Sequence, residues 1–124
     1  MTQTELPNLE RKEMPKVDVK KYIGTTTKID EVTMESGKHG FFLKVVGGVV
    51  ETLGKGDNAV HIRASKILGL QTDGETGVPY IGADSKADRW LKSVGVEQPN
   101  ELIGKELVMK TTDPNSNGQE FLTF

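Results

Sequence analysis

Between Phe41 and Val46 the side chains alternate, with Phe41, Leu43 and Val45 on one phase and Phe42 and Lys44 on the other. A repeat of two residues fits an extended strand and no helix, because successive side chains of a strand point to opposite sides of a sheet. Lys44 decides which side is wet, since an ammonium between two strand neighbours is not buried without a partner, and Phe42 therefore points outward with it. From Val60 to Ser65 the pattern repeats: Val60, Ile62 and Ala64 alternate with His61, Arg63 and Ser65. Two neighbouring strands of this kind predict a face carrying Phe42, Lys44, His61 and Arg63. An aromatic ring beside several cations is suited to stacking bases and holding phosphates.

The flanking sequence extends the β pattern. From Val17 to Met34, Ile23, Thr25, Thr27 and Ile29 share one phase while Val32 and Met34 share the other, so a long first strand needs a bulge or sharp coil near Asp30. Ser36 to Gly40 supplies a turn, Gly47 and Gly48 a bend, and Gly54 to Asn58 a turn before a strand that starts at Ala59. Gly69 to Gly82 is punctuated by glycine and reads as a long loop. Helical spacing appears once with force, at Ala87, Trp90, Leu91 and Val94, with Ser85 as cap, Asp88 near the positive end and Gly95 as the stop. Trp90 is then the core anchor of that helix. Pro99 opens one more helical turn, Gly104 releases the chain into a strand containing Leu107 and Met109, and Asp113 to Gly118 turns it into Phe121 to Phe124. Residues 1–16, with two prolines and no period, read as a flexible arm, and residues 17–124 as one domain.

Composition narrows the functional classes. The 124 residues include no cysteine, which excludes disulfides, thiolate metal sites and a cysteine nucleophile. No apolar run approaches the length of a membrane span, and the polar start lacks the pattern of an export signal, so the expectation is a cytoplasmic protein without a membrane partner. The net charge of −2 argues against a uniformly basic domain drawn to phosphate by its overall field. Residues 1–66 nevertheless hold eleven Lys/Arg against nine Asp/Glu, a balance of +2, whereas residues 67–124 hold five against nine, a balance of −4. Positive charge leans toward the predicted face.

Three near-motifs fail on particular residues. Asp113 to Gly118 fits the first half of a calcium-binding loop, but Phe124 stands where a bidentate Glu is required. Gly54-Lys55-Gly56 resembles a phosphate loop, yet Val49 occupies the place of its first glycine and Gly56 that of its Ser or Thr. His39 and His61 lack a third ligand at metal-binding spacing, and no nucleophile stands in a Gly-x-Ser-x-Gly turn. Neither a metal, a cofactor nor catalysis is expected.

The order of three strands, a helix and two strands, over residues 17–124, resembles the OB-fold. The resemblance implies a mainly β protein, a five-stranded Greek-key barrel with one helix between strands three and four. It also implies a ligand held across strands two and three and the loops beside them: Phe42 and Lys44, His61 and Arg63, Lys38 and His39 in the first loop, Asn115 and Asn117 in the last. The expected function is a small non-enzymatic module that binds single-stranded nucleic acid with weak sequence preference through Lys38, Phe42, Lys44, His61 and Arg63. In the alternative, the same face or a sheet edge docks another protein chain or a second copy.

Overall fold

The computed structural model describes residues 8–9 and 18–124. The expected arm, residues 1–16, falls outside the described residues except for Asn8 and Leu9. The fold is mainly β, organised on an antiparallel hairpin of β1 (Thr26–Gly37) and β2 (Gly40–Gly47). A three-residue β3 (Glu51–Leu53) pairs with β4 (Val60–Ile62), and β5 (Ser65–Gly69) then lies along the outer side of β2. Next come β6 (Gln71–Thr72) and β7 (Pro79–Tyr80), the helix α1 (Lys86–Ser93), and β8 (Glu106–Val108), which pairs with β1. The main sheet therefore has the order β5-β2-β1-β8, and β9 (Lys110–Thr111) continues from β8 to pair with β10 (Leu122–Thr123).

The bulge required by the apolar phase change is present. Ile29 stands opposite Gly47 and Glu31 opposite Val46, so β1 gains a residue at Asp30, and buried Ile29 is followed by half-buried Val32 on the other phase. Gly47 is glycine for space: a Cβ there would come within 2.8 Å of Thr27 Cγ2 and 2.9 Å of Phe124 Cζ. Around this crossing the core gathers Leu43, Val45 and Leu68 from the sheet, Leu91 from α1, and Leu102, Leu107, Met109 and Leu122 from the second half.

The helix forms as its caps dictate. Ser85 Oγ accepts the Asp88 N–H at 3.2 Å, while the Asp88 carboxylate accepts the Asp84 N–H at 2.9 Å and pairs with Lys92 at 3.1 Å. At the other end Gly95, at φ +81°, lets the Val96 N–H reach the Leu91 carbonyl and its own N–H reach that of Lys92, satisfying two otherwise orphaned acceptors. Ala87 and Leu91 are buried, with Trp90 and Val94 packed beside them.

Three expectations are corrected by pairing. The first strand starts at Thr26 and not near Val17, because Asp18 caps a 3₁₀ turn at Val19–Tyr22 and Gly24, at φ +86°, redirects the chain. That turn is fastened to β3: the Tyr22 hydroxyl donates to Glu51, whose carboxylate also pairs with Lys21 at 3.0 Å. The stretch from Gly69 to Gly82 contains the β6–β7 hairpin, whose turn is held by Asp73 Oδ1 accepting the Glu75 and Thr76 N–H groups. The third strand is broken at Arg63 and Ala64, its first part pairing with β3 and its second with β2. Ten strands are described where five were expected, eight of them of five residues or fewer, and they form one four-stranded and three two-stranded sheets in place of the expected closed barrel.

Candidate functional site

The outer face of the sheet follows from the register. Phe42 lies between Glu35 of β1 and Gly69 of β5, and Lys44 between Thr33 and Ile67. Leu43 and Val45 are buried and Lys44 is exposed, so the alternation is oriented as its lysine requires. Phe42 is half-buried, its ring lying over Gly37, where a Cβ would sit 3.0 Å from Cε1. Lys38 is exposed in the turn beyond it. On the β1 side Lys44 shares a shallow depression of about 280 Å³ with Glu31, Thr33 and Glu35. Two carboxylates there repel an anion, which leaves the β5 side, with Ile67 64% exposed, as the open approach.

His61 and Arg63 do not stand beside Phe42 and Lys44. The cross-strand neighbours on β5 are Gly69 and Ile67, because pairing with β2 begins only at Ser65, after Ala64 has been buried with its carbonyl accepting the Gly47 N–H at 2.8 Å. His61 is opposite Thr52 on the β3–β4 hairpin, with its Nδ1 3.1 Å from the Thr52 hydroxyl. Arg63 turns toward the bulge, its Nη1 3.5 Å from Asp30 Oδ2 and donating to the Gly47 carbonyl at 3.5 Å. His39 lies at one end of β2 and His61 past the other, and among the described residues no three metal-ligating side chains gather. Asn115 serves its own turn, its Oδ1 accepting the Asn117 and Gln119 N–H groups.

A second concave surface was not anticipated from the sequence. Lys66 stands opposite buried Val45, on the core-facing phase of β5, but at the sheet edge it leans out, placing Nζ 5.4 Å from the centre of the Trp90 ring. Together with Ile67, Lys86 and Arg89 they line a groove of about 350 Å³ whose lining contains no carboxylate. Burial, and then the charge of Lys110, push the Lys66 ammonium below the usual lysine pKa. Of the three helix cations only Lys92 has a carboxylate partner among the described residues, Asp88, while Arg89 Nε donates to the Asp84 backbone carbonyl at 2.9 Å. The clue in the sequence was the lysine in the series Ala64, Lys66, Leu68, where an inward apolar residue was due.

Among the described residues, no helix is long and apolar enough to cross a membrane. No protein-family model, curated protein or solved structure matches this chain.

Proposed function

We propose that this chain is a small non-enzymatic module that binds single-stranded nucleic acid with weak sequence preference. The observation that carries the proposal is the groove beside β5, where Lys66, Lys86 and Arg89 surround Trp90 without a carboxylate in the lining. Cations there neutralise phosphates irrespective of sequence, and flat rings offer any base a stacking surface. The groove is lined by Ile67 and Gly69, the cross-strand neighbours of Lys44 and Phe42 on the outer face, and Lys38 is exposed in the turn beyond Phe42. Arg63, answered by Asp30, and His61, on its hairpin, are peripheral to it. We read the order β5-β2-β1-β8, with a helix ahead of β8 and β9 continuing to β10, as an OB-like arrangement that stays open between β5 and β10. A duplex is a poorer fit because the only α-helix described is eight residues long, packs Ala87 and Leu91 into the core, and has its Lys92 answered by Asp88.

Titration of fluorescently labelled mixed-sequence single strands at low and moderate salt tests the proposal. Binding that weakens steeply with salt is expected, and its absence at low salt would overturn the function. Within a bound complex, Phe42→Ala should weaken affinity by about 1–3 kcal/mol if the outer face is used. The alternative, strand pairing with a second chain, is favoured by one observation: β5 is an edge strand with an exposed Ile67. It predicts concentration-dependent association in sedimentation without added nucleic acid.

A further inference from the structure

Beyond β5 the main sheet is open. Strand β10 approaches this edge but is hydrogen-bonded only to β9, so a cleft of about 570 Å³ remains between β5 and the β9–β10 hairpin. Its walls bring Ser65 and Lys66 together with Lys110, Thr111, Thr112 and Thr123; Asp113, exposed at the start of the turn, also borders it. Among the described residues neither lysine forms an ion pair with a carboxylate. Two ammonium groups facing one cavity repel each other, and the half-buried Lys66 has lost part of its hydration as well. An anion seated between them would reverse both penalties, with the hydroxyls as further donors.

We infer that this cleft is a phosphate site, in which Lys66, Lys110 and the adjoining hydroxyls hold one phosphodiester of a bound single strand. The inference rests on the proposed function: Lys66 belongs to both the cleft and the Trp90 groove, so a strand lying in the groove presents a neighbouring phosphate to the cleft. An inward lysine on an edge strand also keeps a second sheet from pairing with it, and the experiment separates these roles.

Amide NMR spectra of the full chain, followed as sodium tripolyphosphate is added at constant ionic strength, read the site directly. Saturable shifts grouped at Ser65, Lys66, Thr111 and Thr123 are expected, with Lys66→Gln and Lys110→Gln each weakening the affinity by about fivefold or more. Lys55→Gln, in the β3–β4 turn, should leave it unchanged. Shifts spread over every exposed lysine, or undiminished affinity in both cleft variants, would overturn the site. Lys110 is exposed, so Lys110→Gln carries the comparison should Lys66→Gln fail to fold. A parallel titration with oligothymidylate distinguishes the two levels. Undiminished oligonucleotide binding in both variants removes the cleft and leaves the function standing; tripolyphosphate binding with no oligonucleotide binding removes the strand as ligand and the function with it. Self-association of Lys66→Gln with unchanged anion affinity would make the residue an edge guard and overturn the inference.

Discussion

Lys44 shows how far one side chain reaches. Its charge fixes the orientation of β2, and thereby puts Phe42 on the outer face, but its usefulness to an anion is set by Glu31 and Glu35 on the neighbouring strand. Replacing Glu31 or Glu35 by Gln should therefore tighten oligonucleotide binding at low salt, and the gain should shrink as salt screens exposed charges over roughly 10 Å. Fluorescence anisotropy at two salt concentrations checks this; equal affinities for wild type and variants would mean that the strand does not pass Lys44. Glu51 offers a second test, of stability. The Tyr22 hydroxyl, and then Lys21, hold its carboxyl below the ordinary value of 4.5. A folded pKa depressed in this way adds stability that is complete above the unfolded value and is lost as pH falls through the folded one. Glu51→Gln should lower the melting temperature at neutral pH, and the difference from wild type should fade in strong acid. A difference of the same size at every pH would show that the charge is irrelevant to the tie.

At the scale of elements, the β1–β2 hairpin depends on Gly47, where bulge, bend and core meet. Gly47→Ala forces a methyl against Thr27 and Phe124, so a loss of about 1–3 kcal/mol is expected in denaturant melts. A neutral result would mean that both neighbours can step aside. This hairpin, its bulge at Asp30 and the capped helix were legible in the sequence because each is written in local signals: alternation, a phase change, Ser85 and Gly95. The division of the third strand was not, since the alternation runs unbroken from Val60 to Ser65. What divides it is a long-range choice of partner, with β3 taking Val60–Ile62 and β2 taking Ser65–Gly69. At three residues β3 is too short to show a period, and the two-residue strands β6 and β7 leave no pattern beyond their turn. The same division displaced His61 and Arg63 from the expected face and brought Lys66 to the edge. Thus the half of the candidate site on β2 could be read in advance, whereas the half on β5 depended on register.

For the whole molecule, net charge and local charge part company. The sequence balance places its positive excess in residues 1–66, yet folding joins Lys66 from that half to Lys86, Arg89 and Lys110 from the acidic half, around two adjoining concavities. A protein of net charge −2 gains little from long-range attraction to a polyanion, so binding must come from this local set. Each phosphate neutralised on a single strand contributes roughly −0.7 to the slope of log affinity against log salt, and these four cations together set a slope of roughly −3. Lys110→Gln should flatten the slope by roughly 0.7 if the cleft holds a phosphate. A slope near zero in the wild type would mean that contact is made through apolar surface alone. Ile67, 64% exposed at the sheet edge, would then mark a protein-docking edge in place of a nucleic-acid track.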